Sequence, residues 1–386
     1  MLTLITFIII LSVLVFAHEL GHFVTARKFG VKAEEFGFGF PPRILGVYRN
    51  KEKKWRLVSG SRAVREEVPG TIYSINWIPL GGFVKIKGED GDNNDPDSFA
   101  NKKIWKRATI LSAGVSMNVI LAAILISIGL MIGFPQSLDG NINPKATVTG
   151  REIEVVQVLQ NSPAEKAGIK EGDLILSINN IHFSDYAGLE NYVNQNTNKE
   201  LTYDVKRASK EMDIKVTPRY MQETKRGGIG VAISEYGIVR LPWYMAIWEG
   251  IKTTLFLTWA IIVAFYELLK NLILGHGVSA DLAGPVRIAQ MTGEAARMGI
   301  DYVLQFAALL SINLAIINFI PFPALDGGRV LFLVFEKIKG KPVKRELEAL
   351  IHNMGFVLLM ILILLVTANE LKLKYWIVFL IHKLTS

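Results

Sequence analysis

Residues 2–17 form an apolar run without a single charge, and the run ends on His18-Glu19-Leu20-Gly21-His22. A stretch of that kind is long enough, with the residues that follow it, to cross a bilayer as a helix. Residues i and i+4 share one face of an α-helix, so His18 and His22 can hold a single Zn²⁺ while Glu19 is placed to act as a general base on water. An ionisable cluster at the inner end of a spanning helix is costly, which marks it as a functional site. The plain alternative is a secretory signal peptide. That would need a basic start and a small-residue cleavage site, yet residues 1–6 carry no Lys or Arg, and cleavage near Ala17 would discard the helix that presents the histidines.

The apolar residues, 50% of the chain, are gathered in long runs, which is the composition of a multi-pass membrane protein. Candidate spans are 2–27, 108–134, 303–320 with a continuation to 335, and 350–368. Between residues 27 and 107 there are 17 Lys+Arg against 10 Asp+Glu, and between 135 and 302 the balance is 17 against 19. The first loop is therefore expected inside and the second outside, with both termini outside. The net charge of +8 belongs to loops that border an anionic leaflet, and no aromatic–basic platform accompanies it, so nucleic acid is not an expected partner. The chain has no cysteine, which rules out disulfides and thiolate metal ligands.

Catalytic zinc usually takes three protein ligands and a water, so a third ligand must come from elsewhere. Asp326 is the best candidate, in Asn318-Phe319-Ile320-Pro321-Phe322-Pro323-Ala324-Leu325-Asp326-Gly327-Gly328, where prolines and glycines interrupt a segment at membrane depth. Broken backbone is tolerated there only where it lines an enclosed or watery cavity. Taken singly, Asp326 could be a turn residue before two glycines, and Asn318 could be hydrogen-bonding glue between helices.

The two distant motifs, in this order, resemble those of the site-2 protease family of intramembrane zinc metalloproteases, in particular its bacterial regulator-of-sigma-E-protease-like members. The resemblance covers most of the chain. It implies a mainly α membrane protein with four transmembrane helices, a cytoplasmic membrane-associated β-hairpin or sheet, and an external α+β PDZ-like domain. The expected layout is a first helix at 1–29, a cytoplasmic β-rich loop at 30–106 and a second helix at 107–134. A PDZ-like domain at 140–220 and a linker with interfacial amphipathic helices at 221–302 follow. The third segment is expected at 303–336, the fourth helix at 350–368 and a tail at 369–386. By the same resemblance His18, His22 and Asp326 are zinc ligands, Glu19 is the catalytic acid/base, and Asn318, Pro321 and Pro323 shape the substrate side of the cleft. The implied substrates are single-span proteins of the bacterial inner membrane, such as an anti-sigma factor or leftover signal peptides, cut after a first external cleavage.

Phe36-Gly37-Phe38-Gly39-Phe40 and Gly81-Gly82-Phe83-Val84-Lys85-Ile86 read as strands, with 71–77 a further β candidate. They are similar to the family's membrane-associated hairpin, and Gly37, Gly39 and Gly82 are the expected substrate-binding positions, since an extended peptide can add to such an edge. The alternative is a small sheet with no substrate role. Residues 161–179, Asn-Ser-Pro-Ala-Glu-Lys-Ala-Gly-Ile-Lys-Glu-Gly-Asp-Leu-Ile-Leu-Ser-Ile-Asn, carry the PDZ resemblance, and a size filter for pre-trimmed substrates is favoured over peptide capture as its role. Residues 255–274 are apolar enough to cross, but Glu267, Lys270 and the flanking aromatics Trp243, Tyr244, Trp248, Trp259 and Tyr266 suit a helix lying in the interface. Gly284-Pro285 with Ile288 resembles a short family segment. Gly114-Val115-Ser116-Met117-Asn118 departs from the family's Gly-Pro-x-x-Asn by lacking the proline, with Asn118 still available near the cleft. His182, His276, His352 and His382 lack ligand spacing and are expected at surfaces, loops or interfaces. The rival of another class is a membrane adaptor with a structural zinc clamp, against which a base beside the metal weighs. A transporter would show paired internal repeats, which are not evident.

Overall fold

The computed structural model describes residues 2–60, 68–89, 95–138, 143–183, 185–207, 210–222, 225–275 and 283–371. The chain forms two compact units, one of Met1–Ser127 with Ile247–Ser386 and the other of Ile128–Ala246.

The first unit begins with α1 (Leu2–Lys28), whose apolar residues run all round the helix and whose last turn is basic, Arg27 and Lys28. Three strands follow, β1 (Ala33–Arg49), β2 (Trp55–Ser59) and β3 (Ile72–Ile86), and then α2 (Ile104–Ile132). β1 and β3 both bend: residues 35–38 of β1 pair with 82–85 on one side and with 72–75 on the other, while 43–47 return along 73–76. β2 pairs with the far end of β1, Trp55 opposite Arg49. α1 and α2 approach backbone to backbone at Gly21, where an added Cβ would sit 2.3 Å from the Ala113 carbonyl oxygen. Gly81, with φ +82°, does the same for the sheet, because a Cβ there would meet Val15 of α1 at 2.4 Å.

The second unit holds one six-stranded sheet in the order β4-β11-β5-β6-β7-β8. Its elements are β4 (Phe134–Ser137), β5 (Thr147–Val158), α3 (Pro163–Ala167), β6 (Leu174–Ile178) and α4 (Tyr186–Gln195). They continue with β7 (Leu201–Arg207), β8 (Lys210–Val216), a small pair β9 (Arg219–Met221) and β10 (Arg226–Gly228), and β11 (Val231–Arg240). α3 starts on a reciprocal cap, with Ser162 Oγ accepting from Glu165 N at 3.1 Å and Glu165 Oε2 accepting from Asn161 N at 2.6 Å. Gly168 ends it in the left-handed region at φ +89°. Asp173 is fully buried and is held by Arg207 at 2.6 and 2.7 Å. The unit reaches beyond the expected 140–220 at both ends. The reason is that β11 pairs along nearly the whole of β5 and so covers an edge that would otherwise leave the Ile153 and Val155 strand unpartnered.

After α5 (Trp243–Ile273) come α6 (Pro285–Met298), α7 (Ile300–Phe319), α8 (Asp326–Lys339) and α9 (Arg345–Glu370). α7 packs its Ala307 on Ile10 and Leu14 of α1, and Ser311 Oγ donates to the Asn118 carbonyl of α2 at 2.8 Å. Glu370 at the end of α9 accepts from Gly284 N and Val286 N at 2.6 and 3.1 Å, and so caps the start of α6. Among the described residues, five helices are long and apolar enough to cross a membrane: α1, α2, α5, α7 and α9. The expected third segment is two helices, since the chain turns between Phe319 and Asp326. α8, with 14 residues, spans about 21 Å and is too short to cross by itself. Residues 243–273 form one continuous helix of 31 residues, longer at its start than the 255–274 run read from hydropathy.

Candidate metal centre

α1 places His18 and His22 one turn apart on the face turned to α2 and α8, and both side chains are buried. Asp326 opens the first turn of α8, where the helix N-terminus favours a carboxylate. Its Oδ2 lies 2.9 Å from His18 Nε2 and 3.3 Å from His22 Nε2, and the two Nε2 atoms are 3.1 Å apart. These three residues are the group of the described residues whose donor atoms could hold a metal ion. Zn²⁺ bonds of roughly 2.0–2.1 Å in a tetrahedron put neighbouring donor atoms about 3.3 Å apart. The three observed separations lie close to that edge, so zinc fits the donor set. Glu19, the neighbour of His18 on the same turn, is within electrostatic reach of His18, His22, Asp326 and Glu89.

The outer contacts decide which nitrogens face the centre. His22 Nδ1–H donates to the Ile110 carbonyl of α2 at 2.9 Å, which leaves the Nε2 lone pair for a metal. Asn118 lies 3.4 Å from His18 Nδ1 with its Nδ2, while its Oδ1 is buried without a partner among the described residues. Turning the amide over lets Oδ1 accept from His18 Nδ1–H and frees His18 Nε2 in the same way. α2 can come this close because of Gly114, where a Cβ would stand 2.4 Å from His22 Nε2 and 2.7 Å from His18 Nε2. Gly114 was expected only as part of the segment that ends at Asn118, with no role of its own at the centre. Its signal was a glycine four residues before Asn118.

The turn from α7 to α8 holds Asp326 in place. Ala324 takes a left-handed conformation at φ +78°, and its N–H, which then has no helical acceptor, donates to His352 Nδ1 of α9 at 2.9 Å. His352, half-buried on α9, is thus a partner of the turn and is not among the three residues that meet at the centre. Exposed His182 keeps to a loop and contacts its own Leu176 carbonyl at 2.9 Å, and His276 and His382 lie outside the described residues. Cβ atoms at Gly327 and Gly328 would both meet backbone oxygens at 2.3 Å, those of Ile320 and Phe322, so the turn lies directly on the first turn of α8. Pro323 packs on the backbone of α9 at Gly355, whose Cβ would meet it at 2.4 Å. Asn318 is half-buried at the end of α7 and Pro321 is exposed. Of the glycines expected to meet substrate, Gly37 faces Ser74, Asn76 and Phe83, Gly39 faces the Ile78 carbonyl, and Gly82 faces Phe16 of α1. Their open side is thus occupied by the protein's own sheet and helix. α8 is tied to the rest by Arg329 to Glu89 at 2.5 Å and by the Arg107–Glu336 pair with α2.

The family model for peptidase family M50 matches residues 6–59 and 57–362. The chain belongs to peptidase family M50. This M50 peptidase is 31% identical to the regulator of sigma-W protease RasP of Bacillus subtilis over 96% of its own length and 98% of that protein. The zinc metalloprotease RasP of Geobacillus kaustophilus is 28% identical over the same two shares, 96% and 98%. A PDZ domain of an SdrC-like protein from Listeria monocytogenes superposes on 22% of this chain and 92% of its own, at 20% identity and a TM-score of 0.21. This M50 peptidase is a zinc metalloprotease and a multi-pass protein of the cytoplasmic membrane.

Proposed function

We propose that the chain is an intramembrane endopeptidase that cuts the transmembrane segments of single-span proteins after a first, external cleavage. The observation that carries the reading is the meeting of His18 and His22 with Asp326, which is 308 positions from His18, inside a bundle of apolar helices. In this reading His18, His22 and Asp326 hold the zinc and Glu19 is the acid/base. Bound zinc supplies a Lewis acid for the scissile carbonyl and makes water acidic enough to attack near neutral pH. Glu19 accepts the proton of the attacking water and returns one to the leaving amine. Asn118 and the Ile110 carbonyl keep both imidazoles in the tautomer that presents Nε2.

A substrate helix hides its carbonyls in hydrogen bonds and must unwind before attack. The interrupted backbone at 320–325, with Asn318, Pro321 and Pro323, would border the cleft that receives the unwound stretch. The β1–β3 sheet, which lies on α1 through Gly81 and Gly82, would offer an edge to it, with Gly37 and Gly39 keeping the sheet thin. Phe38, Phe40, Ile75 and Trp77 at the bend of that sheet are exposed, which suits a tip dipped into lipid.

Parity supports four crossings although five helices qualify. With the basic loop inside, α1 runs inward; α7 must then also run inward to bring Asp326 to His18, and α2 runs outward. Residues between α2 and α7 then start and finish outside, so α5 lies in the interface, where its exposed Trp243, Trp248, Trp259 and Tyr266 are favoured. The Ile128–Ala246 unit would face outside as a size filter. A second reading of that unit is capture of a peptide end, supported by a cavity of about 200 Å³ between α4 and the start of β11, lined by Tyr186, Leu189, Val193 and Ile229. The Bacillus relative is named a regulator of sigma-W protease, and an anti-sigma factor, the substrate the family resemblance implies, is the first to try. The test is zinc content and cleavage of a tagged, ectodomain-trimmed single-span substrate by the purified wild type, Glu19→Gln and Asp326→Ala. Glu19→Gln should keep zinc and stop cutting, and Asp326→Ala should lose both. Cleavage by Glu19→Gln at the wild-type rate would refute the mechanism, and zinc binding with no cutting by any form would favour the adaptor.

A further inference from the structure

A polar cavity of about 470 Å³ opens where α1 ends and the sheet begins. Arg27 is five residues beyond His22, about 7–8 Å further along the helix axis, so the cavity is separate from the metal centre. It is lined by Arg27 of α1, Lys32 of the following turn, Arg49 at the end of β1, Trp55 at the start of β2, Tyr73 of β3, and Asp97. The size is that of a small-molecule site.

Among the described residues the three cations of the cavity donate to neutral oxygens, and Lys32 is besides within electrostatic reach of Asp97. Arg27 Nη1 donates to Tyr73 Oη at 3.1 Å, Lys32 Nζ donates to the Val68 carbonyl at 2.5 Å, and Arg49 Nε donates to the Lys53 carbonyl at 2.8 Å. Each of these acceptors is a neutral oxygen. Among the described residues none of the three cations has a carboxylate within ion-pair distance. The carboxylate of the lining, Asp97, is already engaged by Lys87 at 2.7 Å. Three fixed cations therefore converge from α1, its following turn and β1, and two of them carry the guanidinium fork that matches phosphate oxygens.

The place of the cavity says what covers it. Arg27 and Lys28 close the last turn of a membrane-spanning helix, so this depth is that of lipid headgroups. Trp55, 62% exposed at the cavity, and Trp105, 56% exposed and ring-to-ring with Phe29 just after α1, are the aromatic anchors typical of that layer. Basic cavities at the ends of spanning helices receive the headgroups of anionic lipids. We propose that this cavity binds the phosphate headgroup of an anionic phospholipid and thereby ties the β1–β3 sheet to the leaflet at the C-terminal end of α1.

The test uses the full chain in a neutral detergent, with short-chain phosphatidylglycerol, short-chain phosphatidylcholine and inorganic phosphate as separate probes. Binding is read by native mass spectrometry and by the shift in melting temperature. Phosphatidylglycerol should bind in preference to phosphatidylcholine. At roughly fivefold per cation, R27Q/K32Q/R49Q should weaken it about a hundredfold. A control of equal charge loss on the other unit, K166Q/K170Q/K199Q, should bind as wild type, and zinc content reports that each variant is folded. If the triple variant loses zinc, the single variants R27Q and R49Q are read for their roughly fivefold losses. Equal weakening in the cavity and control variants, or none in either, overturns the site. Inorganic phosphate binding as tightly as phosphatidylglycerol makes it a free-anion site and overturns the lipid assignment.

Discussion

Gly114→Ala is the substitution through which the packing of α2 against the metal centre can be measured. The new methyl would stand 2.4 Å from His22 Nε2, and 2.7 Å from both Cε1 and Nε2 of His18. Contacts of carbon with such atoms settle at about 3.5 Å, so each ring must retreat by about 1 Å. Metal–ligand distances are held to about 0.2 Å, and the retreat is several times that. The rings cannot slide sideways at no cost, because His22 Nδ1 is bonded to Ile110 and His18 abuts Asn118. Loss of one outer contact typically weakens metal binding 10- to 100-fold; with two ligands displaced the upper figure is the minimum expected, about 100-fold or ~2.7 kcal/mol. The assay is zinc retained by the purified full chain across a graded chelator series, with helix content and the melting temperature of the metal-free form as controls. The expected result is early loss of zinc and of cleavage with the metal-free form unchanged. Gly21→Ala, whose methyl meets the Ala113 backbone instead, should lower the melting temperature as well. If Gly114→Ala holds zinc as tightly as wild type, the claim that α2 sets the positions of the two histidines is wrong.

Removing the side chain of Asn118 should weaken zinc about 10- to 100-fold while leaving the helices intact, and Asn118→Asp, which still accepts from His18 Nδ1–H, should recover most of that loss in the same chelator series. Glu19→Gln should lower the cleavage rate by about 10²- to 10⁴-fold at unchanged zinc content, measured under single-turnover conditions. In the Ile128–Ala246 unit burial pushes the Asp173 carboxyl up, but the Arg207 pair and the Lys170 N–H more than offset it and hold it below the usual range. A carboxyl depressed in the folded state contributes stability that is complete above its unfolded value of about 3.9 and is lost as the pH falls toward the folded one. Hydrogen-exchange protection of β6 and β7, corrected for intrinsic rates, should therefore fall below about pH 4 in wild type and stay flat in Asp173→Asn. Arg207→Ala, which strands the buried carboxylate, should destabilise the unit by about 3 kcal/mol at neutral pH, and an unchanged denaturant midpoint would argue against the pair.

Several parts of this molecule are legible in the order of its residues. The four-residue step from His18 to His22 puts both rings on one face by helical geometry alone, and the uncharged run before them requires a membrane or a buried core. The prolines and glycines between Asn318 and Gly328 announce a break, because a proline lacks the N–H and a glycine tolerates close backbone. Ser162 with Glu165, followed by Gly168, announces the short helix α3 and its end. These are signals carried within a few residues of each other.

What the sequence alone determined about this protein is therefore local: which stretches are apolar, which faces they share, where helices start and stop, and which residues could ligate zinc. Only the tertiary structure decided that Gly114 lies against both imidazoles, that Ile110 and Asn118 set their tautomers, and that His352 takes the N–H that Ala324 leaves. It likewise decided that Glu370 caps α6, that β4 and β11 widen the sheet of the second unit, and that Arg27, Lys32 and Arg49 meet in one cavity. The physical reason is common to all of them. Periodicity and capping follow from bond geometry and neighbouring side chains, whereas these partnerships join residues far apart in the chain, and they arise when close-packed helices and sheets leave a buried polar group or an unfilled space that a distant residue must satisfy.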